Sequence, residues 1–323
     1  MTDRFTLERL SEPSDFLAQM VKDVTRGLTG KNKSIPSIYF YDDHGSELFE
    51  QITTLPEYYL TRAETEILVT HAERIMNLTQ PDELMEIGAG FARKTRLLLA
   101  AMHNTGEGRR YVPIDVSDAA LKHAGDALTG AYPWLTVNAY VGDFMLDLHH
   151  VPHQGRRVVA FLGSTIGNLP PDQRHAFLDE VATSLNPGDA FLLGVDLVKD
   201  EQVMIDAYSD SQGISAQFNK NVITVVNRNL NGDLPLASFV HETRFNAELS
   251  CMEQSLRATR DITATLSAID LDVEIAAGES IHTEFSCKFT EDSISREVTA
   301  AGLSVSSVLT DPRGRFALVF ATK

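Results

Sequence analysis

Short apolar runs alternate with amphipathic segments between residues 83 and 197, and this alternation constrains the fold more than any other feature of the chain. The apolar runs predict five strands, of which the third is the weakest: Glu83–Gly88, Arg110–Asp115, Thr136–Gly142, Val158–Gly163 and Ala190–Leu197. The segments between them predict helices over Lys94–Met102, Asp118–Leu128 and Pro171–Leu185. Because strands that alternate with helices build a parallel sheet, we predict an α/β fold with a doubly wound sheet.

The segments on either side of this region have other patterns. Upstream, the sequence predicts no strand, but helices over Asp15–Leu28 and Glu47–Leu55 and a third helix opened by the capping-box spacing Thr61-Arg62-Ala63-Glu64. Downstream, it predicts a helix, two stretches of half-buried antiparallel strand, another helix and a terminal hairpin: Ala216–Leu230, Phe239–Thr259, Ile262–Ala276, Glu291–Ala301, and Leu303–Leu309 with Phe316–Ala321.

These patterns predict two interleaved domains. The terminal hairpin is placed to complete the sheet that begins at Glu83, so residues 63–197 and 290–323 are assigned to one doubly wound domain. Residues 1–62 and 198–289 are assigned to a second, α+β domain that covers the substrate.

The charge balance argues against several classes of partner. The chain has 28 Lys and Arg residues against 45 Asp and Glu residues, a formal net charge of -17, and such a surface repels phosphate backbones and anionic membranes. The start lacks the apolar core of a signal peptide, and no stretch approaches about 18 uncharged apolar residues. We therefore predict a cytoplasmic protein with a small-molecule substrate, no nucleic-acid partner and no membrane segment. In that compartment Cys251 and Cys287 are expected to be packed thiols.

A glycine-rich turn follows the first predicted strand. Glu86-Ile87-Gly88-Ala89-Gly90-Phe91 lies between that strand and the next helix, where glycines allow a ligand to approach the backbone. A dinucleotide-binding turn requires Gly or Ala at the position that Arg93 occupies here. S-adenosylmethionine has no pyrophosphate, so a short glycine turn with polar groups at the next strand ends is sufficient. The turn therefore favours S-adenosylmethionine over NAD.

Acidic residues stand at the ends of the second and third predicted strands. Asp115 is placed to bind ribose hydroxyls, Asp143 to accept a hydrogen bond from the adenine amino group, and Phe144 to pack on the adenine ring. Taken singly, each carboxylate could be a solvated strand end. Their order after the glycine turn predicts one cofactor site at the carboxyl ends of the strands.

Candidate substrate residues follow the fourth strand and lie in the inserted region. The turn Gly163-Ser164-Thr165-Ile166-Gly167-Asn168-Leu169 places Asn168 beside the position of methyl transfer, where its amide can bind ammonium and carboxylate groups. Glu284 and Ser286 share one face of a predicted strand and can together receive an imidazole or another nitrogenous group. An ordinary turn and a solvated strand face are the alternatives.

Two other groups of residues, a set of histidines and two aromatic clusters, give weaker evidence of a functional site. His149, His150 and His153 lie in a Pro-containing connector without other ligands nearby, so we predict no metal site. The aromatic clusters Tyr39-Phe40-Tyr41 and Tyr58-Tyr59 lie in a helical segment, where such residues are more often core than pocket.

Six segments of the chain are recognisable as a set: Tyr39-Phe40-Tyr41-Asp42, Leu55-Pro56-Glu57-Tyr58-Tyr59, Glu86–Gly90 with Lys94-Thr95-Arg96, Phe161–Leu169, Asp196–Asp200 and Thr283–Phe289. Together they resemble the bacterial L-histidine Nα-methyltransferases of ergothioneine biosynthesis, over nearly the whole chain. The resemblance implies a class I methyltransferase fold, which is Rossmann-like, with S-adenosylmethionine as cofactor. It also implies transfer of three methyl groups to the α-amino group of L-histidine, giving hercynine in the first step of that pathway.

The resemblance further implies residue roles. Gly88, Lys94, Asp115, Asp143 and Phe144 would contact the cofactor, and Tyr41 would border both cofactor and amine. Tyr58, Glu284 and Ser286 would hold the imidazole, Asn168 and Tyr208 the carboxylate, while Phe49 and Gly163 would line the pocket. Tyr41 and Asn168 are the catalytic candidates among them.

One departure from the family concerns the packing beside the imidazole. Gln254 stands where the family often carries Met. Three alternative functions stay open at this point: methylation of another amino acid such as tryptophan or tyrosine, a non-catalytic amino-acid sensor, and an NAD-linked oxidoreductase. Glu284 argues against the first, because an apolar ring would leave its carboxylate buried and unpaired. The intact glycine turn with Asn168 argues against the second, and Arg93 against the third.

Overall fold

The computed structural model describes residues 4–10, 12–106 and 108–323. Its strands are β1 (Phe5–Arg9), β2 (Glu83–Ile87), β3 (Arg110–Asp115), β4 (Thr136–Val141), β5 (Arg157–Phe161), β6 (Ala190–Asp196), β7 (Phe239–Asn246), β8 (Cys251–Ala258), β9 (Ile262–Leu266), β10 (Leu271–Ile275), β11 (Ser280–Cys287), β12 (Ser304–Thr310) and β13 (Phe316–Thr322). Its α-helices are α1 (Pro13–Thr29), α2 (Asp43–Thr54), α3 (Leu60–Thr79), α4 (Thr95–Thr105), α5 (Asp118–Ala131), α6 (Phe144–Asp147), α7 (Pro171–Ser184), α8 (Glu201–Tyr208), α9 (Ile214–Leu230) and α10 (Glu291–Ala300).

The chain divides into two compact units. The first comprises Met1–Ser11, Leu60–Val198 and Cys287–Lys323, and the second comprises Glu12–Tyr59 and Lys199–Ser286. The chain therefore leaves the first unit twice, once after β1 and once after β6.

The first unit is built on an eight-stranded sheet in the order β1-β4-β3-β2-β5-β6-β13-β12. The strands from β1 to β6 pair in parallel, whereas β13 pairs antiparallel with β6 and β12. This order confirms the predicted doubly wound sheet with a terminal antiparallel hairpin. The strands β2, β5 and β6 are buried along their whole length, which explains the apolar runs of β5 and β6, while β2 also buries Glu83 and Glu86. The strand order reverses beside β2, and ligands of open α/β sheets bind at the carboxyl ends of strands at such a point.

The edge strand β1 corrects the prediction that no strand precedes residue 60. It pairs in parallel with β4 from Phe5↔Val137 to Arg9↔Val141, so these residues belong to the first unit rather than to the predicted second domain. Phe5 and Leu7 pack on a buried cluster that includes Leu121, while the alternate residues are exposed. A five-residue edge strand with one buried face carries too few apolar residues to be recognised from sequence.

The second unit contains α1, α2, α8 and α9, a three-stranded sheet in the order β11-β8-β7, and the β9-β10 hairpin. The strands β7 and β8 pair antiparallel from Phe239↔Ala258 to Asn246↔Cys251, and β9 pairs antiparallel with β10. The structure therefore confirms the predicted antiparallel strands and resolves each long stretch into two of them. Helix α9 packs against α2, the 3₁₀ turn Ser37–Phe40 and β7, and its inward side chains form much of this unit's core.

Three further observations concern the whole described chain. Among the described residues, no helix combines the length and the apolar character needed to cross a membrane. Within the same residues, no group of three or more His, Cys, Asp and Glu side chains could hold a metal ion. Neither cysteine is a free thiol, which corrects the expectation of two thiols, since spacing along the sequence does not reveal how distant cysteines pair.

Candidate active site

The glycine turn after β2 adopts the conformation that its composition predicts. Gly88 has a φ of 67° and Gly90 a φ of 49°, both in the left-handed region where a side chain is strained. The Gly88 N–H donates to the Ile114 carbonyl at 2.9 Å, which ties the turn to β3. A Cβ built on Gly90 would meet no atom of the described residues within 4 Å. Glycine is therefore required there by the backbone, and it leaves open space beside the turn.

Asp115 joins the carboxyl ends of β2, β3 and β4. Its carboxylate accepts the Gly90 N–H at 2.8 Å and the Ser117 N–H at 2.9 Å, and its carbonyl accepts the Gly142 N–H at 3.0 Å. Burial raises the pKa of this carboxyl, although the two N–H donors oppose the shift. An ionised carboxylate has about four lone-pair positions, so one carboxylate can hold the turn and still accept hydroxyl donors.

Asp143 and Phe144 follow β4 as predicted and begin α6. The Asp143 carboxylate accepts the Met145 N–H at 2.9 Å, which satisfies a donor of the first helical turn. The Phe144 ring lies 5.3 Å from the Phe161 ring and 5.5 Å from the Phe177 ring, in edge-to-face arrangements. Phe144 is thus fixed on an aromatic cluster at the end of β5, with part of its surface exposed.

Lys94 lies at the start of α4 and is paired with Glu64, a residue that is not among the candidates from the sequence. Its Nζ forms an ion pair and hydrogen bond with the carboxylate of Glu64 on α3. The Gly163 N–H donates to both oxygens of the same carboxylate, at 2.9 Å to Oε1 and 3.0 Å to Oε2. The capping-box interpretation of Thr61 and Glu64 is wrong, because α3 begins at Leu60 and the Glu64 side chain is buried.

The turn that carries Asn168 is held at several points within the first unit. Ser164 has a φ of 63°, and its Oγ accepts the Asp196 N–H at 2.8 Å. The Asp196 carboxylate forms a fully buried ion pair with the Lys288 Nζ at 2.9 Å. A Cβ on Gly167 would lie 2.6 Å from the Cys287 carbonyl oxygen, so the turn passes too close to that backbone for a side chain. These contacts fix the 3₁₀ turn Thr165–Asn168, which ends at Asn168.

A chain of aromatic rings runs through the second unit. The Tyr41 and Phe49 ring centroids are 5.8 Å apart, those of Phe49 and Tyr58 are 6.2 Å apart, and those of Tyr58 and Tyr208 are 6.4 Å apart. Phe218 of α9 contacts both Tyr41 and Phe49, at 5.4 and 5.8 Å. Phe218 cannot be distinguished from an ordinary core position in the sequence, because it has the spacing of a buried helix residue.

Two hydrogen-bonded pairs of polar groups also lie in the second unit, and one of them includes the hydroxyl of Tyr208, the last ring of this series. The Tyr208 hydroxyl and the Ser286 Oγ are 2.7 Å apart and share a hydrogen bond. The Gln254 Nε2 donates to the Glu284 carboxylate, and all four side chains are buried. A carboxylate has about four lone-pair positions and can accept from more than one donor.

Tyr41 is held in place by a residue on α9 that the sequence pattern did not identify. The Asn221 Nδ2 donates to the Phe40 carbonyl at 3.1 Å and to the Asp42 carboxylate at 2.7 Å, and these are the two neighbours of Tyr41 in the chain. Asp42 also accepts the Gly45 N–H as the N-cap of α2. Burial alone would raise the pKa of Asp42, but these donors and Arg228 together hold it below its usual value.

His241 holds the main chain at Tyr208. The Asn219 Nδ2 donates to the His241 Nδ1 at 2.8 Å, so the proton of the neutral ring is on Nε2, which donates to the Tyr208 carbonyl at 3.0 Å. The Thr243 Oγ1 donates to the same carbonyl at 3.2 Å. This carbonyl belongs to the last turn of α8, where helix carbonyls lack partners within the helix.

Acid is expected to destabilise the second unit through His241. Burial lowers the pKa of His241, so the unfolded chain binds a proton more readily than the folded one. Stability from the neutral ring is complete above the unfolded pKa of about 6.5 and falls as the pH drops below it towards the folded pKa. The change His241→Gln should therefore reduce the loss of unfolding free energy between about pH 7.5 and pH 5.5, measured by urea denaturation.

The comparison with wild type is necessary because burial also lowers the pKa of His282, which contributes a loss of the same sign in both proteins. An identical pH-dependent loss of unfolding free energy in wild type and variant would contradict the assignment to His241.

The structure gathers the candidate residues into one group in each unit. The first unit brings together Gly88, Asp115, Asp143, Phe144, Lys94 and Gly163 at the strand ends, with Asn168 on the neighbouring turn. The second unit links Tyr41, Phe49, Tyr58, Tyr208 and Ser286 in one series and joins Gln254 to Glu284. The individual roles of these residues towards cofactor and substrate stay predictions.

Comparison with known proteins places this geometry in a family. The family model described as "Histidine-specific methyltransferase, SAM-dependent" matches residues 20–323. The chain is 46% identical to the Histidine N-alpha-methyltransferase of Mycolicibacterium smegmatis over 302 residues, which cover 94% of each protein. It is 44% identical to the Histidine N-alpha-methyltransferase of Mycobacterium tuberculosis over 97% of this chain and 98% of that protein. It is also 29% identical to Ergothioneine biosynthesis protein 1 of Neurospora crassa, over 84% of this chain and 31% of that protein.

Proposed function

Because the chain belongs to the S-adenosylmethionine-dependent, histidine-specific methyltransferases, we propose that it transfers three methyl groups to the α-amino group of L-histidine. The product is hercynine, and the reaction is the first step of ergothioneine biosynthesis, the pathway after which a fungal relative is named. The observation that carries the choice of substrate is the buried Glu284 carboxylate. It accepts from Gln254, and a carboxylate can also accept an imidazole N–H.

The first unit has the features that S-adenosylmethionine requires. The open space at Gly90 leaves room beside the turn, Asp115 can accept the ribose hydroxyls, and Asp143 with Phe144 can bind the adenine. Lys94 offers an ammonium group for the cofactor carboxylate. The chemistry that the cofactor supplies is a methyl group already activated by its sulfonium, so the protein needs no nucleophilic side chain.

The protein's tasks are to orient the substrate amine and to accept its proton. An α-amino group has a pKa near ~8 and is mostly protonated at neutral pH, so a proton must leave before each transfer. Tyr41 is the proposed route for that proton, through its hydroxyl or a water molecule. Asn168 and the Tyr208 hydroxyl hold the substrate carboxylate, while Tyr58 and Ser286 assist Glu284 at the imidazole. Fixing the amine in this way lowers the entropic part of the barrier.

Mass spectrometry of the standard amino acids, each incubated with purified protein and S-adenosylmethionine, tests this function. L-Histidine is expected to gain one, two and three methyl groups in succession, with no comparable product from tryptophan or tyrosine. A reaction without S-adenosylmethionine is the control. No methylated histidine, or preferred methylation of another amino acid, would contradict the proposal.

Calorimetry distinguishes the enzyme from a sensor. The enzyme is expected to bind both S-adenosylhomocysteine and L-histidine, and binding of histidine without any cofactor binding would identify a sensor instead. The proposed location is the cytoplasm, where free histidine and the cofactor are available, and cell fractionation tests it.

A further inference from the structure

A buried carboxylate on α3, that of Glu64, contacts two turns of the first unit. Glu64 is 0% exposed, and its oxygens accept from the Lys94 Nζ and from the Gly163 N–H. A buried charge is costly unless it is paired and hydrogen-bonded. Here one ammonium group and one backbone donor compensate it, and they come from the turn before α4 and the turn after β5.

The two partners of this ion pair differ in exposure. The Lys94 side chain is 21% exposed, whereas the Glu64 side chain is 0% exposed. A lysine ammonium has three N–H donors, of which the hydrogen bond to Glu64 uses one. The buried carboxylate therefore fixes the direction of an ammonium group whose other donors can reach a ligand.

The sheet provides space for the Glu64 carboxylate. Gly194 lies within β6, where glycine usually weakens a strand, and it has no left-handed φ that would require glycine. A Cβ at this position would lie 2.0 Å from the Glu64 Oε1. The missing side chain at Gly194 is thus explained by the carboxylate that occupies its place.

A second buried carboxylate lies close by and has different partners. Glu86 accepts from the Thr95 and Tyr111 hydroxyls, and burial raises its pKa to about 7. Glu86 is thus satisfied by neutral hydroxyl donors, and the ammonium group of Lys94 pairs with Glu64.

We propose that Glu64 is a positioning residue of the cofactor site, which holds the Lys94 ammonium towards the carboxylate of S-adenosylmethionine and fixes the Gly163 turn beside it. The proposal rests on the proposed cofactor contact of Lys94. Glu64 itself touches neither cofactor nor substrate in this role, and its effect passes through Lys94.

A double-mutant cycle on the full-length protein tests this coupling. Calorimetry of S-adenosylhomocysteine binding should show that Glu64→Gln raises the Kd by about tenfold, or about 1.4 kcal/mol. Glutamine keeps one oxygen for the Gly163 N–H but turns an N–H₂ group towards Lys94. Lys94→Met should raise the Kd at least as much, and adding Glu64→Gln to Lys94→Met should change it by less than about twofold.

Turnover kinetics separate positioning from a general loss of structure. Glu64→Gln should raise the KM for S-adenosylmethionine by about tenfold and leave kcat at saturating cofactor within about threefold. Glu66→Gln, an exposed position on the same helix, is the matched control and should match wild type. Gly194→Ala leaves Glu64 and Lys94 unchanged but places a methyl group on the carboxylate, and should reproduce the KM defect.

The measurements separate a failure of the proposed role of Glu64 from a failure of the proposed function. A wild-type Kd and KM in Glu64→Gln would overturn the proposal, as would the same loss of affinity in the Lys94→Met background as in wild type. A wild-type protein that bound no S-adenosylhomocysteine would instead contradict the proposed function, on which this role depends.

Discussion

The change Glu284→Gln is expected to lower kcat/KM for L-histidine by about a hundredfold, the loss expected for a buried hydrogen bond to a charged acceptor. In the structure the Glu284 carboxylate already accepts from the Gln254 amide, and in the proposed complex it also accepts an imidazole N–H. A glutamine at position 284 keeps one uncharged carbonyl oxygen and places an N–H₂ donor where the second carboxylate oxygen stood, so the donors lose a charged acceptor and one of them can face another donor. Steady-state kinetics with varied histidine measure the effect.

Selectivity provides a second readout at the same position. Glu284→Ala removes the buried acceptor and leaves a cavity without charge, so discrimination against apolar amino acids such as tryptophan should decrease along with histidine turnover. Glu248→Gln, an exposed carboxylate of the second unit, is the matched control and should retain wild-type kinetics. Unchanged histidine kinetics in both Glu284 variants would remove this residue from the site.

The change Asp115→Ala is expected to weaken binding of S-adenosylhomocysteine by about a hundredfold or more. It removes the acceptor of the proposed ribose hydroxyls and, at the same time, the acceptor of the Gly90 and Ser117 N–H groups. The glycine turn then loses its Gly90 contact with β3 and keeps the Gly88 hydrogen bond to Ile114. Isothermal calorimetry measures the Kd directly.

Asp115→Asn refines this measurement. The asparagine side chain has one acceptor oxygen for two backbone donors, so its affinity should lie between those of wild type and Asp115→Ala. Asp126→Asn, an exposed position on α5, should bind like wild type. Wild-type affinity in Asp115→Ala would contradict the placement of the cofactor at this strand end.

The sequence allowed most of the first unit to be predicted because its central strands are buried on both faces. The apolar runs of β5 and β6 can be recognised in the sequence as buried strands. Because the carboxyl ends of parallel strands meet at one edge, the sequence alone also places Gly88 and Asp115 near each other. The edge strand β1 escaped prediction, because only its Phe5 and Leu7 face the core.

The supporting residues of the site could not be predicted from the sequence. Glu64, Asn221 and His241 act through contacts with residues far away in the chain, such as Gly163 or Phe40. Within their own segments they have ordinary local patterns, and Glu64 fitted a capping box better than a buried ion pair. Local spacing carries information about helices and strands, whereas side-chain partners at long range depend on how the strands and helices pack.

The position of the added methyl groups on the product distinguishes Nα-methylation of histidine from methylation of its ring. Nuclear magnetic resonance and tandem mass spectrometry of the product made from isotope-labelled L-histidine distinguish the α-nitrogen from the two imidazole nitrogens. We expect a product with three methyl groups on the α-nitrogen and an unmodified imidazole ring. Methyl groups on the ring, or a histidine that leaves the reaction unmethylated, would contradict it.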